Sequence, residues 1–512
     1  MAKRTKREQF PAPSLGWVKN AAHTDPPKGS AEVLDNFFPT AQGARLRDGK
    51  DKHATINGVV RRMLAYRSGS QEAMFACTAD SVYDVTTPAD ADVSPSAAIS
   101  SLTSGDWVGT QFANASGEYL YMTNGSDAAR YYDGSSWTTP TITGATSADL
   151  SQCWTYKERL FFIEGGTLSF WYFAVNAISG AATEFPLHGV FHQGGALLFG
   201  ATWSVDSGSG LNDLCVLVTT EGEVAIYSGA DPSDANDWAL QGVYRVGKPL
   251  DKAGWYKNGG DLMILTEDGI VSVSDAVNKD RSALRSAAAS YAIEDAWKEA
   301  IANRSADYTF ASEVWPTKTM LIVGAPRNVD GLPVAFVANI RTGAWCRYLG
   351  WDVGATAIIN DQLYFGTPGD TTSVIYAAEK TANDEGTAYS GRWVPKFYEG
   401  GAEFKSAIHA RIRARSQEQY SYALGCFSDY TIGSYPSATP NTSESPNAWG
   451  SGLWGTMVWG GDDGSIRQSE WRTVRGGGAS LAPVLVVPSN RTTVNSLELL
   501  AMDLLYESGA IL

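Results

Sequence analysis

The chain has 512 residues, of which 44% are hydrophobic and only 19% are charged, so it can bury one large repetitive fold or several ordinary domains. Its formal net charge of −15 argues against a protein that reads nucleic-acid sequence, because such proteins present a basic surface to the phosphates. The 52 glycines and the 17 Trp, 23 Tyr and 18 Phe favour short strands and tight turns over a helical bundle.

The cysteines and the apolar stretches place the chain in a broad class. No two cysteines form a C-x-x-C pair, so we expect buried free thiols and neither a disulfide framework nor a zinc site. The basic start of the chain is not followed by the apolar segment of a secretory signal. Glu164 and two glycines interrupt the most apolar stretch, residues 160–178, which predicts a hairpin and not a membrane span. We therefore expect a soluble protein made in a reducing compartment. The cysteines are Cys77, Cys153, Cys215, Cys346 and Cys426.

Residues 1–30 are predicted to form an N-terminal arm. Four prolines exclude a continuous helix, and Trp17 is the one side chain that we expect to be anchored. Two interpretations stay open here, a disordered terminus and an arm that reaches a neighbouring subunit.

A short segment after the arm combines aromatic and basic residues. Phe37 and Phe38 precede Pro39 and are therefore held extended. Arg45 and Arg47 fall on the same face of the strand that follows. Two arginines on one strand face could bind phosphate, lie in solvent or form ion pairs.

A pattern then recurs along some 300 residues, in which an apolar run, a short polar or Gly-containing link and a second apolar run follow each other. Each pair of runs predicts a β-hairpin. The pairs start roughly 41 to 58 residues apart, a spacing typical of propeller blades. We predict an all-β chain with a β-propeller of six or seven blades at residues 31–390; a set of β-sandwiches is the alternative. The paired runs are 73–77 with 82–85, 119–122 with 130–132, 160–163 with 168–173, 214–218 with 224–227, 262–265 with 270–273, 320–323 with 334–340, and 363–365 with 374–376.

Turns that end in tryptophan support the repeat. Trp137, Trp238 and Trp345 each follow or close one of these hairpins. Rings of this size are expected to pack between adjacent sheets.

One short helical insertion interrupts the β pattern at residues 282–303, which are rich in alanine and lack Gly and Pro. Ile293, Trp297 and Ile301 lie four residues apart and therefore share one face. The helix either packs on the propeller or projects to an adjacent subunit, with Trp297 as the contact residue.

Residues 391–512 are predicted to form a separate C-terminal β-sandwich-like region. Arg411, Arg413 and Arg415 alternate with apolar residues, as on one face of a half-buried strand. A long polar loop at 433–464 carries three tryptophans, which could bind a sugar or a partner protein, since exposed Trp is enriched at interfaces, or could pack into the chain's own core. These are Trp449, Trp454 and Trp459.

Few residues have the spacing of a catalytic or metal site. His188 and His192 have a helical metal-binding spacing, but the glycines around them disfavour a helix. The loop that holds Asp231, Pro232, Asp234 and Asp237 before Trp238 lacks the central Gly and distal Glu of an EF-hand. We expect its aspartates to form turns and not to bind calcium. No nucleophile elbow or Walker loop is present, so we predict a protein without catalytic activity, metal or cofactor.

Three stretches resemble tail hub, or nozzle, proteins of short-tailed bacteriophages, the β-propeller type that stabilises packaged DNA. The first is DNFFPT at residues 35–40 followed by GARLR at 43–47. The second is YSGADPSDA at 227–235 followed by Trp238 and GKPL at 247–250. The third is LELLAMD at 497–503 followed by YESG at 506–509.

This resemblance implies a structural virion protein made in the bacterial host cytoplasm. Six copies would form a homohexameric ring that closes the distal end of the tail, retains packaged DNA and forms part of the ejection channel. The implied partners are the portal-adaptor (head–tail connector) protein, a tail fibre, spike or needle protein, and DNA that passes without sequence recognition. The alternatives are a carbohydrate-binding or glycan-cleaving propeller that recognises a receptor, and a cellular propeller scaffold.

Overall fold

The computed structural model describes residues 4–20, 27–88, 94–206, 211–305, 308–328, 330–369, 371–401, 403–440 and 466–509. None of the helices in these ranges is long and apolar enough to span a membrane. Six short strands precede the first sheet of the ring: β1 (Arg4–Pro11), β2 (Gly16–Trp17), β3 (Ser30–Asp35), β4 (Phe37–Pro39), β5 (Ala44–Leu46) and β6 (Asp51–Asn57).

Six small antiparallel sheets and the first four strands of a nine-stranded sheet follow each other along the chain, and we number these seven units blades 1 to 7. Blades 1 to 4 have four strands each. Their strands are β7 (Arg62–Ser68), β8 (Gln71–Cys77), β9 (Val82–Asp84) and β10 (Ala97–Ile99) in blade 1; β11 (Val108–Asn114), β12 (Gly117–Thr123), β13 (Arg130–Tyr132) and β14 (Trp137–Thr138) in blade 2; β16 (Leu150–Tyr156), β17 (Arg159–Glu164), β18 (Ser169–Tyr172) and β20 (Thr183–Pro186) in blade 3; and β21 (Leu197–Asp206), β22 (Leu211–Thr219), β23 (Glu223–Ser228) and β24 (Ala239–Arg245) in blade 4. Strands β15 (Ile142–Thr143) and β19 (Gly180–Ala181) form a small parallel pair.

Blades 5 to 7 complete the series. Strand β6 pairs with β34, so a strand from before blade 1 forms the outer edge of blade 7. The strands are β25 (Trp255–Asn258), β26 (Asp261–Thr266) and β27 (Gly269–Ser272) in blade 5; β28 (Ser312–Trp315), β29 (Met320–Ala325), β30 (Val334–Asn339) and β31 (Ala344–Leu349) in blade 6; and β32 (Ala355–Ile359), β33 (Gln362–Gly366) and β34 (Thr372–Ala377) in blade 7.

The blades form a closed ring. Separate apolar clusters lie between blades 1 and 2, 2 and 3, 3 and 4, 4 and 5, and 7 and 1, while the largest cluster joins blades 5, 6 and 7. The first strands of neighbouring blades also contact each other, including β32 of blade 7 with β7 of blade 1. The prediction of a β-propeller is confirmed. Six of the seven predicted hairpins form the two middle strands of a four-stranded blade, and the hairpin at 262–273 forms the second and third strands of the three-stranded blade 5.

Continuous apolar runs suit this ring because both faces of a blade are buried. In β22, Val216 and Val218 contact the cluster toward blade 5, whereas Cys215 and Leu217 face blade 3. Successive strand residues point to opposite faces, so a strand between two blades needs apolar side chains at every position. Trp238 and Trp137 pack between adjacent sheets as expected, on Phe161 and Phe75 respectively.

The helical insertion is broken into short pieces and does not form one helix. Helices α1 (Val273–Asn278), α2 (Arg281–Ala287) and α3 (Glu294–Asn303) follow β27, and short 3-10 helices lie at Ser147–Asp149, Tyr291–Ile293 and Pro316–Lys318. Ala288, Ala289 and Ser290 separate α2 from the next helical turn. Blades 1 to 4 each have a fourth strand, whereas in blade 5 the helices α1 and α2 follow the third strand instead. Ala276 of α1 and Leu284 of α2 bury their side chains against blades 4 and 5.

The remaining strands form two larger sheets together with the N-terminal strands. They are β35 (Tyr389–Pro395), β36 (Lys405–Ser416), β37 (Ala423–Ser428), β38 (Ile466–Gln468), β39 (Arg472–Gly478), β40 (Leu481–Ser489) and β41 (Glu498–Ser508). One sheet has the order β38-β36-β41-β5-β4, with β1 paired to β41 and β39 to β36; the other runs β28-β29-β30-β31-β2-β3-β35-β40-β37.

The second of these sheets joins blade 6 to the C-terminal strands without a break. Strands β2 and β3 lie between β31 of the ring and β35. The predicted arm is thus in part a set of paired strands, because β1 pairs with β41 along its whole length. The boundaries predicted at residues 30 and 390 both fall within segments whose strands share sheets with the rest of the chain.

Candidate interaction site

The described residues contain few features of a catalytic or metal site. No group of three or more His, Cys, Asp or Glu side chains within them could hold a metal ion. His188 and His192 are exposed on a segment of turns. The five cysteines are free thiols, four of them buried. Burial raises the pKa of the Cys426 thiol to about 12, which is the opposite of what a reactive cysteine needs.

Most side chains predicted to contact a partner lie in the interior. Trp17, Phe37, Phe38, Arg47 and Trp297 are all buried. These positions correct the expectation of an exposed interface, because a side chain enclosed by its own chain is not available to a second subunit. Three further candidates, Trp449, Trp454 and Trp459, lie outside the described residues.

Arg47 is the centre of the joint between the ring and the C-terminal sheets. Its guanidinium is fully buried and donates two hydrogen bonds to Asp384, at 2.9 and 2.7 Å. It also donates to Asn36 Oδ1 at 2.8 Å and lies 3.9 Å from the ring centroid of Tyr389. Burial lowers the pKa of Arg47, but Asp384 together with the rings of Tyr389 and Tyr348 raises it, so the pKa lies above its ordinary value. The residue is therefore a charged structural anchor and not a phosphate ligand.

Arg45 lies beside the same joint and, like Arg47, forms an ion pair with a carboxylate from the segment after β34. It donates two hydrogen bonds to Glu379, at 2.8 and 2.7 Å, and lies over the ring of Phe38 at 4.9 Å. Burial raises the pKa of the Glu379 carboxyl, but Arg45 together with Lys318 and Tyr348 lowers it, so the pKa is below its ordinary value. Tyr348 also donates to this carboxylate. The two arginines that the sequence places on one strand face thus form two separate ion pairs, with the guanidinium fully buried at Arg47 and partly exposed at Arg45.

The loop after β23 is held by its own aspartates. The backbone N–H of Ser233 donates to Asp231 at 3.0 Å, and that of Asn236 donates to Asp234 at 2.9 Å. Asp237 accepts two backbone N–H groups at the start of the loop, at 2.6 and 2.8 Å. These backbone hydrogen bonds hold the pKa of Asp237 below its ordinary value. The carboxylates bond within the loop, and Asp231 also pairs with Arg159 of blade 3 at 3.0 Å. After the loop, Trp238 stacks on Tyr227 at 5.2 Å.

One end of the ring axis is closed by charged residues. Arg62 at the start of blade 1 donates to Asp251, in the loop before blade 5, at 2.7 and 2.6 Å. Arg62 also donates to Asp106 at 2.9 Å. Lys252 donates to the carbonyl oxygens of Asn124 and Ser151, in blades 2 and 3. Since blades 1 and 5 lie on opposite sides of the ring, this loop crosses the axis.

A small cavity of about 190 Å³ lies behind this closure. It is lined by inner-strand residues, among them Trp107, Trp255, Ser312 and Glu313. The indole nitrogens of both tryptophans and the Ser312 hydroxyl have no hydrogen-bond partner in the described part of the chain. Burial raises the pKa of Glu313 to about 7, and Arg67 opposes this only in part.

An outward face of the C-terminal sheet carries five arginines, and we call it the arginine face: Arg7, Arg411, Arg413, Arg415 and Arg475. Strand alternation in β36 exposes its three arginines to different degrees and buries Ala410, Ile412 and Ala414. The three predicted residues do share a face, because Arg411 and Arg413 bond the same carboxylate and Arg415 pairs with Glu498 on the neighbouring strand.

Comparisons with known proteins give no family for this chain. No protein-family description and no curated protein matches this chain. Among solved structures, the chain is similar to BBS1N in complex with ARL6DN, at 9% identity over 69% of this chain and 99% of that chain, with a TM-score of 0.41. It is also similar to the β-propeller domain of Cps50 (Swd1) of Myceliophteria thermophila, at 11% identity, 64% and 99% coverage and a TM-score of 0.39. The WD40 β-propeller domain of Doa1 is similar at 10% identity over 65% of this chain and 98% of that chain, with a TM-score of 0.37. These TM-scores are low, so the cyclic order of the sheets carries the assignment of the fold.

Several residues with structural roles were missed from the sequence. The closure formed by Arg62, Asp106 and Asp251 depends on loops that meet only when the ring closes, and no local spacing indicates it. Asp503 offered a signal, because it is the only charged residue between Leu499 and Tyr506 of an otherwise apolar run. A lone carboxylate in a buried strand indicates a basic partner, and the basic strand β1 supplies Arg7.

Proposed function

We propose that this chain is a non-catalytic interaction scaffold and, more specifically, a structural virion protein, the tail hub or nozzle subunit of a short-tailed bacteriophage. The observation that supports this most directly is the position of two stretches that resemble the family. Residues 43–47 and 497–503 are far apart in the sequence but form paired strands, with Glu498 opposite Arg45 and Leu499 opposite Ala44. Both stretches thus build the same joint between ring and C-terminal sheets.

The closed propeller axis supports a ring of several copies. Because the Arg62–Asp251 pair crosses the axis of a single chain, DNA would pass between copies and not through one propeller. A homohexameric ring provides such a central path, since head-to-tail contacts close when the rotation between copies is 60°. Net negative charge keeps DNA from adhering to the walls of the path, because like charges repel.

The proposed role is mechanical. The ring closes the distal end of the tail, retains packaged DNA and opens for ejection, and it connects the portal-adaptor protein to a tail fibre, spike or needle. The protein is made in the bacterial host cytoplasm and ends in the virion. A propeller continuous with a second pair of sheets suits this role, because the joint is held by buried ion pairs on both sides.

Copy number and position in tailed particles test this proposal. Quantitative mass spectrometry of purified particles that contain the chain should give six copies per particle, and antibody-gold labelling should mark the distal end of the tail. A capsid location, or absence of the chain from particles made by cells that express it, would contradict the proposal.

The glycan-binding alternative rests on Trp449, Trp454 and Trp459, which lie outside the described residues. It predicts that changing any of the three to Ala abolishes retention on a glycan array. An array without bound glycans argues against this alternative and leaves the structural role in place.

A further inference from the structure

The arginine face is held in place by one carboxylate. Asp503 is fully buried, and its Oδ2 accepts from Arg411 Nε at 2.7 Å and from Arg413 Nε at 3.1 Å, while Oδ1 accepts from Arg7 Nη2 at 2.9 Å. Burial raises the pKa of Asp503, but the three arginines lower it by more. One negative charge therefore orients three positive charges.

Within the described part of the chain, the hydrogen bond between Arg411 and Asp503 leaves other N–H donors of Arg411 free to bind another molecule. Arg411 uses only its Nε on Asp503, so both Nη groups of its planar fork have no acceptor among the described residues. The exposed Trp471 lies against this guanidinium, with 4.5 Å between the charge centre and the ring centroid. A guanidinium fixed by a stacked ring and one hydrogen bond loses little entropy when it binds a carboxylate in two-pronged geometry.

The face continues along the strands. Arg413 and Arg415 follow Arg411 at intervals of two residues, which is roughly 7 Å along a strand. Arg415 bonds Glu498 through its Nε at 2.6 Å and is more than half exposed. Arg475 on β39 is exposed on the same side as Thr473, which contacts His409 of β36. Five arginines thus outnumber the three carboxylates of β41, Asp503, Glu498 and Glu507.

We infer that the arginine face binds a carboxylate-rich segment of a partner protein. Guanidinium forks match carboxylates as well as phosphates, so the choice between them comes from the surroundings. The chain carries a net charge of −15, and the three carboxylates interrupt the face itself. A nucleic acid needs a broad basic surface for its phosphates, whereas a short acidic segment needs only the few arginines that lie between these carboxylates. This inference names a partner chemistry for the proposed scaffold and rests on that proposal.

Fluorescence anisotropy with a labelled glutamate-rich peptide tests the inference on the full chain. The double variant R411Q/R413Q should weaken binding about tenfold or more, because it removes two of the guanidinium groups that form charge-assisted hydrogen bonds to the peptide carboxylates. The matched control is R281Q, because Arg281 is an exposed arginine that also bonds one carboxylate through its Nε, and it should leave affinity unchanged.

A second variant separates binding from folding. R415Q/R475Q lies away from buried Asp503, so its denaturation midpoint should stay at the wild-type value while peptide affinity falls several-fold. Labelled oligothymidylate is the competing probe. Three results would each overturn the inference: no peptide binding by the wild type, the same loss in R281Q, or tighter binding of oligothymidylate that depends on Arg411 and Arg413. None of them bears on the copy number in particles, which tests the scaffold itself.

Discussion

At the scale of single residues, buried ion pairs replace the exposed contacts that the sequence suggested. Arg47 shares its carboxylate partner, Asp384, with the backbone N–H of Lys50 and the indole of Trp351. Removing one partner of such a pair leaves an uncompensated buried charge, which is more costly than the net contribution of the pair.

The substitution R47A is expected to lower the free energy of unfolding by about 3–5 kcal/mol, because Asp384 keeps its charge without a guanidinium. Urea denaturation followed by tryptophan fluorescence measures this. The matched control is R281A, which breaks an exposed pair with Asp268 and should cost no more than about 1 kcal/mol. Equal losses in the two variants would contradict the structural role of Arg47.

Glu313 gives the stability a pH dependence of known sign. Its pKa is about 7 in the folded chain and near 4.5 without burial, so folding takes up a proton between these pH values. The contribution of the protonated Glu313 carboxyl to the free energy of unfolding is full below pH 4.5, and it is lost as the pH rises through about 7. The variant E313Q should be more stable than the wild type at pH 8 by about 1–3 kcal/mol and similar at pH 4.5.

Denaturation curves of E313Q at the two pH values measure this difference. E470Q is the matched control because Glu470 is largely exposed. Its free energy of unfolding should equal that of the wild type at both pH values. If the advantage of E313Q at pH 8 is missing, the carboxyl is solvated and the axial cavity is not as enclosed as described.

At the scale of elements, the sequence predicts strands better than their partners. The seven hairpins follow from continuous apolar runs and the short polar or Gly-containing links between them, all of which are local. The pairing of β6 with β34 and the insertion of β2 and β3 between β31 and β35 depend on contacts between segments more than 300 residues apart. No local pattern specifies them, so the N-terminal residues looked like an arm.

Hydrogen exchange tests the placement of β3. Its amides at Ser30–Asp35 lie in the interior of a nine-stranded sheet and should exchange as slowly as those of β35. Strand β10 at Ala97–Ile99 is short, lies at the edge of blade 1 and is mostly exposed, so it should exchange orders of magnitude faster. Fast exchange in β3 would show that the N-terminal segment is not part of the sheet.

The breaks in the helical insertion also have a local reason that spacing alone did not reveal. Ser290 accepts the backbone N–H of Ile270 through its hydroxyl and Ala289 donates to the Ile270 carbonyl, so this segment bonds blade 5 in place of a helical turn. Ile293 and Trp297 keep the predicted common face and are buried. The periodicity therefore predicts which side chains enter the core but not where the helix ends.

At the scale of the whole molecule, ring and C-terminal sheets form one structural unit. Sheet order passes from blade 6 through β2 and β3 to β35, β40 and β37, and the largest apolar cluster contains residues of both regions. Load applied at the C-terminal sheets is therefore transmitted to the ring through hydrogen-bonded strands. A subunit that resists internal pressure in a tail needs such a connection.

The central claim is that this chain works as a subunit of a six-membered ring, and native mass spectrometry tests it most directly. Measured on the purified chain over a concentration series that reaches its solubility limit, the proposal predicts a species of six times the 54.9 kDa chain mass. R281Q, a surface variant that leaves the joint intact, should assemble in the same way. A single 54.9 kDa species at every concentration, for both proteins, would contradict the claim.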